Sequence, residues 1–519
     1  MKITNIALGI ILILGLFLRV FDITNNPPGL YGDELTIALD ANSLLKTGQD
    51  QLGNSLPLTF RMGAGRPPVY VYGSMPFVGI FGPSALGVRG LSVLSGLGII
   101  ILLYYISRKL FSQKIGLAAA FIAAVSIWDI SLSRGGFEAH LALLLALLGF
   151  YLFLKGKEKP IFYIFSALSF GLTLHTYPTY KVSLLLFIPL LFWFTGTKSL
   201  FNISKGYFIG SLLIFLILGF VALSQTFIGG SEVRFNDINI FSKNDLKVSI
   251  EQKINLERTE SNLPDSIVNY FHNKPVEYSK VFIENYLQNF SIDFLILHGD
   301  RNPRHNMATM GQIYAIEILL IGVGILSLVR SRIKILIFLL SWIALAPIAT
   351  AVVDLPHALR SSFMLPPLIL LSALGLGGIL NLKNRMATAV IFVIFIAQFL
   401  FFTQKLFFLS PNLYGNFWSL EAKSASKMAL ENESKYDLII LSDRIDAIEF
   451  AYPVYAKVNP KEIIAQNLKK DTFFGFPSKK YENIYISSIA DGEIQKAIDS
   501  TDGSVLFIGK GLVTVSKDK

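Results

Sequence analysis

Long apolar stretches separated by short polar segments make up most of the chain. Eleven of these stretches have about the length that a helix needs to cross a bilayer. They lie at about 6–21, 85–106, 115–131, 139–154, 161–175, 182–195, 206–224, 311–329, 333–352, 361–380 and 386–408. The pattern predicts an α-helical polytopic membrane protein with about eleven transmembrane helices.

A further apolar stretch, Val69 to Gly82, decides the topology. It is short, follows Arg66-Pro67-Pro68 and contains Pro76, so we interpret it as a re-entrant or interfacial segment. With eleven spans and a cytoplasmic N-terminus, every short loop rich in Lys and Arg is cytoplasmic, as the positive-inside rule requires. These loops are 107–114, 155–159, 198–205, 330–334 and 383–385. A twelfth span would place all of them outside.

This topology puts most of the polar sequence on the extracytoplasmic side of the cell membrane. The first outer loop (22–84), the long outer loop (225–310) and everything after Phe408 lie there. All six histidines also fall on that side, at span ends or in the long loop. We therefore expect a transmembrane domain over residues 1–408 whose polar clusters lie outside the cytoplasm.

The tail has the alternating pattern of a small α/β unit, which we place at 412–519. Strands are predicted at Tyr436–Asp443, Asn483–Ile486, Val505–Ile508 and Leu512–Val515, with a helix from Ile445 to Tyr455. The tail thus predicts a small extracytoplasmic domain.

Composition narrows the function classes. The 519 residues are 52% hydrophobic with a mean hydropathy of +0.54, which excludes an ordinary soluble domain. The absence of cysteine excludes disulfides and thiolate chemistry. The net charge of +10 is explained by basic cytoplasmic loops, so we expect no nucleic-acid partner.

Two adjacent carboxylates, Asp33 and Glu34, follow the first span and a Pro-Pro-Gly turn. Acidic residues at a membrane boundary are costly unless they line a water-filled cavity, so the pair is a candidate functional site. The alternative is a helix N-terminus, where Asp and Glu are also favoured.

The densest polar run is 298–306, which contains Arg301, Arg304 and His305 and ends just before a span. Paired guanidinium donors are typical of phosphate binding. Arg360, at the end of the run 354–360, lies at another extracytoplasmic span end. The alternative for the first run is a surface loop that contacts lipid headgroups.

The chain resembles the GT-C glycosyltransferases, membrane enzymes that use polyprenyl-phosphate sugars. Within that class it is similar to the protein O-mannosyltransferases and the lipid A aminoarabinose transferases (glycosyltransferase family 39-like). The resemblance covers about Ile6 to Phe408. It is carried by Asp33-Glu34, by Arg66-Pro67-Pro68 and the run 81–89, by Ser133-Arg134 before Glu138, and by 356–360.

The resemblance implies transfer of a sugar from a polyprenyl-phosphate donor to a hydroxyl of a protein, lipid or glycan acceptor, with inversion. We assign Asp33 as the general base, and Glu34 to the acceptor, the sugar hydroxyls or a metal. Candidates for donor phosphate binding are Arg66, Arg301, Arg304, His305 and Arg360. Glu138 and His140 are candidates for an acceptor or metal site, and a divalent metal cofactor is left open.

Two other functions compete with transfer. A transporter or flippase for a lipid-linked sugar also contains intramembrane charges and re-entrant segments, but it predicts polar residues through the spans and repeat symmetry. The spans here have nearly uncharged centres. A sensor or assembly protein explains neither Asp33-Glu34 nor the run 298–306.

Overall fold

The computed structural model describes residues 2–62, 65–196, 205–228, 239–353, 355–382, 384–469 and 471–518. It is mostly helical, and each of the eleven predicted spans contains a helix. Up to the long outer loop, the helices are α1 (Lys2–Val20), α2 (Gly32–Thr47), α3 (Val69–Phe81), α4 (Ala85–Leu110), α5 (Gln113–Val125), α6 (Ile127–Ser133), α7 (Glu138–Gly156), α8 (Ile161–Leu174), α9 (Thr179–Thr195) and α10 (Lys205–Ile228).

The long outer loop and the later spans continue this helical chain. Their helices are α11 (Asn244–Glu260), α12 (Asp265–Phe271), α13 (Lys274–Gln288), α14 (Ala315–Val329), α15 (Ile333–Leu345), α16 (Ile348–Ala351), α17 (Leu365–Asn381) and α18 (Arg385–Gln404). The end of the long outer loop contains the second half of α13, followed by a π-helical turn, Asp293–Leu297. Residues 231–238 of this loop lie outside the described residues.

Helix length supports fewer complete spans than the sequence predicted. Among the described residues, six helices are long and apolar enough to cross a membrane, or seven if the bent pair α5–α6 is one span. The predicted spans in α1 (counted over Thr4–Val20), α8, α9 and α14 are apolar helices of only 10–17 residues. The count of eleven is therefore not confirmed, although all eleven stretches are helical.

The ambiguous stretch after Pro68 forms α3, which has 13 residues. At 1.5 Å per residue it is about 20 Å long, shorter than the hydrocarbon core of about 30 Å. It packs between α2 and α4. Its length agrees with the prediction that it is not a full span.

The predicted span 115–131 is broken at Ser126, where α5 and α6 meet at an angle of 56°. Ser126 ends α5, and its hydroxyl accepts a hydrogen bond from the Asp129 backbone at 3.3 Å. The buried Arg19 guanidinium donates to the carbonyls of Ala123 and Ala124 in the last turn of α5, where helical partners are lost. Arg19 also forms an ion pair with Asp129. The break carries the polar run 133–138 into the protein interior.

Arg134, near the start of that run, is fully buried, and its side chain binds backbone carbonyls at the start of the first outer loop. Its guanidinium donates to the carbonyls of Leu18, Phe21 and Asn26 at 3.1, 2.9 and 2.6 Å. Further along the loop, Gly29 packs so closely that a Cβ there would lie 2.1 Å from the Trp418 carbonyl oxygen. The start of α2 is therefore fixed from two sides.

The tail contains four further helices of eight or more residues. They are α20 (Leu420–Asn432), α21 (Ile448–Tyr455), α22 (Pro460–Leu468) and α23 (Asp491–Ser500), after a short α19 (Ser410–Leu413). The strands are β1 (Leu438–Ser442), β2 (Asp471–Phe473), β3 (Phe476–Tyr481), β4 (Ile484–Ser487), β5 (Val505–Ile508) and β6 (Thr514–Lys517).

These strands form one sheet in the order β2-β3-β4-β1-β5-β6, with β1 parallel to β4 and β5. The predicted strands are present, with the last one shifted to β6. The hairpin β2–β3 was not predicted because its strands are short and largely solvent-facing. The helix expected from Ile445 begins at Ile448, since Ala447 adopts a positive φ of 60°.

The tail packs against the first outer loop, mainly through α21 and α22 against α2. Ile439 and Leu441 of β1 share one buried apolar cluster with Leu35 and Ile37 of α2. The Asn467 side chain donates to the carbonyl of Gln51 at 2.9 Å, and the Leu30 amide donates to the Tyr455 hydroxyl at 3.2 Å. Because α2 begins with the acidic pair, the tail buttresses that part of the chain.

Candidate active site

Arg66 joins two carboxylates that lie far apart in the sequence. Its Nη2 lies 3.1 Å from Asp33 Oδ1, and its Nε lies 2.7 Å from Glu138 Oε1. Its Nη1 donates to the Thr36 hydroxyl at 2.8 Å. Arg66 is only 2% exposed, whereas the Asp33 side chain is 37% exposed. The guanidinium therefore fixes Asp33 from the inside and leaves the carboxylate accessible from the outside.

Glu34 does not share this accessible position. Its side chain is fully buried and forms an ion pair with Arg89, with Oε1 2.8 Å from Nε and Oε2 2.9 Å from Nη2. The Gly136 amide also donates to Oε1 at 2.8 Å. Successive residues of a helix point about 100° apart, so the pair faces two different environments. The structure thus does not bring Glu34 to the side where an acceptor or a metal ion would approach Asp33.

Arg89 ties this buried pair to the first outer loop. It donates to the carbonyls of Ile23, Pro27 and Gly29 at 2.8, 3.0 and 2.5 Å. Its guanidinium also lies 5.2 Å from the ring of Trp418. The Glu34–Arg89 pair therefore holds the backbone turn that positions Asp33.

The run 298–306 contacts the acidic motif, although the two are far apart in the chain. The Arg304 guanidinium lies 5.1 Å from the ring centroid of Tyr31, and its Nε donates to the Phe417 carbonyl. Tyr31 packs on Phe137 at 6.0 Å, and Phe137 packs on His305 at 5.7 Å. The clusters predicted from sequence to lie on one side of the membrane thus adjoin each other.

Tyr31 was not predicted as a site residue, although it precedes Asp33 by two positions. Burial, followed by the negative charge of Asp33, raises the pKa of its hydroxyl well above the ordinary value. The hydroxyl therefore stays neutral. Its only sequence signal was its place within the run Leu30-Tyr31-Gly32-Asp33-Glu34.

Asp40 is a second residue that sequence reasoning missed. It lies on α2, and burial raises the pKa of its carboxyl to about 7, against the hydrogen bond from Gln51 and the charge of Arg66. Its negative charge also helps to raise the pKa of Arg66, although less than the charges of Glu138 and Asp33 do. Nothing in its sequence context distinguished it from a surface residue of an amphipathic helix.

Asp300 contacts polar groups of two loops, the one before α14 and the one before α17. Its Oδ1 accepts from the Asn302 amide at 2.8 Å, and its Oδ2 accepts from the Ala358 amide at 2.7 Å. His305 Nδ1 lies 3.2 Å from the same Oδ2, and His357 Nδ1 lies 3.7 Å from it. Burial opposes ionisation, but the His305 hydrogen bond and the two histidine charges lower the pKa of Asp300 to about 2.

Arg301 and Arg360 flank this group. Arg301 is exposed and Arg360 is partly buried. Neither has a hydrogen-bonding or ion-pair partner among the described residues, in contrast to Arg66, Arg89 and Arg304. The structure thus leaves two guanidinium groups at this site without an internal anion.

His140 lies apart from Glu138, with which sequence reasoning had grouped it. Its Nε2 lies 2.9 Å from Asp129 Oδ1, within the buried cluster that contains Arg19. Two residues along a helix correspond to a rotation of about 200°, so the two side chains point away from each other. The structure therefore does not bring Glu138 and His140 together as an acceptor or metal site.

Comparison with known proteins agrees with this fold. Residues 65–222 match the family model described as dolichyl-phosphate-mannose-protein mannosyltransferase. No curated protein matches the chain. ArnT from Cupriavidus metallidurans bound to undecaprenyl phosphate matches with a TM-score of 0.52 and 10% identity, over 87% of this chain and 84% of that one.

The oligosaccharyltransferase of Archaeoglobus fulgidus, in complex with Zn and sulfate, matches with a TM-score of 0.51 and 13% identity. The match covers 87% of this chain and 61% of that one, so the chain spans about three fifths of its length. The chain is a multi-pass membrane protein that has the fold of these glycosyltransferases, and its residues 65–222 match the mannosyltransferase family model, in agreement with the predicted resemblance.

Proposed function

We propose that this protein transfers a sugar from a polyprenyl-phosphate donor to a hydroxyl group of a protein, lipid or glycan acceptor. The observation that carries the proposal is the partly exposed carboxylate of Asp33, which Arg66 holds two residues after Tyr31, the residue that Arg304 of the run 298–306 contacts. ArnT, whose fold this chain shares, was solved bound to undecaprenyl phosphate, which is the type of lipid phosphate that such a donor releases.

Asp33 is the proposed general base. It accepts the proton of the acceptor hydroxyl while the hydroxyl oxygen forms a bond to the anomeric carbon of the sugar. The bond between that carbon and the phosphate oxygen breaks, and the lipid phosphate leaves with the electron pair. A single displacement inverts the anomeric centre. Arg66 orients the Asp33 carboxylate, and Glu138 shares the charge of Arg66 from the other side.

Arg301 and Arg360 are the proposed ligands of the donor phosphate, with Arg304 and His305 at the boundary with the acidic motif. Guanidinium groups without internal partners have no ion pair to break before they bind an anion. They also stabilise the negative charge that develops on the leaving phosphate. Arg66, which sequence reasoning placed in this group, is instead engaged by Asp33 and Glu138.

A divalent metal ion is a candidate cofactor. The A. fulgidus oligosaccharyltransferase was solved with zinc. Among the described residues of this chain, two groups of three side chains contain the ligand types that hold such an ion.

Replacement of the phosphate ligands tests the proposal. Arg301→Ala should reduce transfer from a polyprenyl-phosphate sugar by ~10–100-fold, since a hydrogen bond to a charged group contributes about 1.5–3 kcal/mol. Its melting temperature should remain that of the wild type, because Arg301 has no hydrogen-bonding or ion-pair partner among the residues that the structure describes. Arg304→Ala should also lower the rate of transfer. Unlike Arg301→Ala, it should lower the melting temperature, because it removes the contacts with Tyr31 and Phe417.

Arg444→Ala is the matched control for these variants. Arg444 is a surface arginine of the tail, 49% exposed, that pairs with Asp491. It should transfer sugar at the wild-type rate. Wild-type turnover by both Arg301→Ala and Arg304→Ala at limiting donor would assign the phosphate to another part of the protein.

We place this site on the extracytoplasmic side, with the N-terminus in the cytoplasm. The basic short loops support that orientation. A reporter enzyme that is active only outside the cytoplasm should be active when fused after Phe408 and when inserted at Asn239. Activity of a cytoplasmic reporter at either position would contradict the orientation.

A further inference from the structure

Asp300, His305 and His357 form a compact group of metal-binding side chains. One potential ligand atom from each of the three lies within 4.8 Å of the other two. The rings of the two histidines lie 4.4 Å apart between centroids, at an interplanar angle of 33°. Asp300 and His305 come from the loop before α14, and His357 comes from the loop before α17. Folding alone brings them together.

The group is held in place before any ion binds. Asp300 is 6% and His305 is 8% exposed. Amides from both loops, those of Asn302 and Ala358, fix the two oxygens of Asp300. The His305 ring packs edge-on against Phe137. Such a supporting shell is typical of metal sites, whose ligands are oriented by secondary hydrogen bonds.

The other group with suitable ligand types serves as a comparison. Glu257, His272 and Glu277 also lie within 4.8 Å of one another. Glu277, however, pairs with Lys253 at 2.7 Å and with Lys280 at 2.5 Å, so ammonium groups already occupy the place of a cation. Asp300, by contrast, forms no ion pair with Lys or Arg among the described residues.

We propose that Asp300, His305 and His357 bind a divalent transition-metal ion. Two imidazoles and one carboxylate suit Zn²⁺ or Mn²⁺ better than Mg²⁺ or Ca²⁺, which prefer oxygen ligands. Three protein ligands leave at least one coordination position for water or an anionic oxygen. Arg301 and Arg360 adjoin the site, so the added positive charge would favour a phosphate oxygen there. That use rests on the proposed function, whereas the existence of the site does not.

Metal content tests the site independently of sugar transfer. The full chain, purified in detergent, freed of its affinity tag and treated with EDTA, is titrated with Zn²⁺, and bound zinc is then measured by mass spectrometry. The wild type should bind about one ion per chain, and His305→Gln and His357→Gln should bind at least ~100-fold more weakly. Bound Co²⁺ should give the visible absorption of a site with imidazole ligands, and both variants should lose it.

Two matched controls carry the same substitution elsewhere. His272→Gln alters the second group, and His298→Gln alters an exposed histidine of the same loop, 77% exposed. Both should bind zinc as the wild type does. Zinc should also raise the melting temperature of the wild type and of both controls, and leave that of His305→Gln and His357→Gln unchanged.

Two results would overturn the site: a wild type that retains no zinc, or zinc binding that falls as much in His272→Gln as in His357→Gln. If His305→Gln fails to fold, His357→Gln decides the question, because His357 is more exposed and its loss removes less packing. Zinc binding without sugar transfer would contradict the proposed function alone, and transfer without zinc binding would contradict the metal site alone.

Discussion

Asp33→Asn should abolish most sugar transfer while leaving the protein folded. The amide keeps the size and hydrogen-bonding reach of the carboxylate but cannot accept the acceptor proton. Loss of a general base typically lowers the rate by about 10²–10⁴-fold. Arg66 retains its contacts with Glu138 and Thr36, so the site should keep its shape. Turnover with a polyprenyl-phosphate sugar and melting in detergent are the measurements.

The defect should lie in turnover and not in donor affinity, because the proposed phosphate ligands are elsewhere. Asp22→Asn is the matched control, since it makes the same change at an exposed position of the same outer loop. It should have wild-type turnover. If Asp33→Asn transfers sugar at the wild-type rate, Asp33 is not the base, and its place at the start of α2 reflects helix stabilisation alone.

Loss of one partner of the Glu34–Arg89 pair should destabilise the protein more than any change at Asp33. Removal of one member of a buried ion pair costs about 3–5 kcal/mol, because the other charge remains buried without compensation. Arg89→Met should be worse than Glu34→Gln. It leaves the carboxylate with only the Gly136 amide and deprives three carbonyls of a donor. Thermal unfolding and detergent-resistant yield measure the effect.

The exposed pair Arg444–Asp491 provides the comparison for this prediction. Its side chains are 49% and 72% exposed, and exposed pairs contribute little to stability. The melting temperature of Arg444→Met should therefore be close to that of the wild type. A melting temperature of Arg89→Met equal to that of Arg444→Met would show that the buried pair does not hold the outer loop.

These two predictions separate neighbouring residues that the sequence could not separate. Asp33 and Glu34 have nearly the same chemistry and stand in the same motif, so both were assigned to catalysis. The structure gives Asp33 an exposed carboxylate and Glu34 a fully buried ion pair. The difference comes from Arg89, which pairs with Glu34 and not with Asp33.

The membrane helices of this protein were predictable because a segment inside a bilayer must hydrogen-bond its own backbone groups. An apolar run inside hydrocarbon must satisfy its backbone groups within a helix, and all eleven runs contain helix. The helical α3 was also predicted not to be a full span, because a helix of that length is shorter than the membrane. The break at Ser126 was not predicted, since hydropathy is continuous through it.

The sequence by itself determined the fold class, the likeness to GT-C transferases, and the grouping of the polar clusters, because hydropathy and loop charge are local properties. Only the tertiary structure decided which residues meet: Arg66 with Asp33 and Glu138, Arg304 with Tyr31, and Asp300 with His305 and His357. The structure also shows that His140 contacts Asp129 and not Glu138. Such contacts depend on the directions in which side chains leave packed helices and loops, and no single segment of sequence specifies those directions.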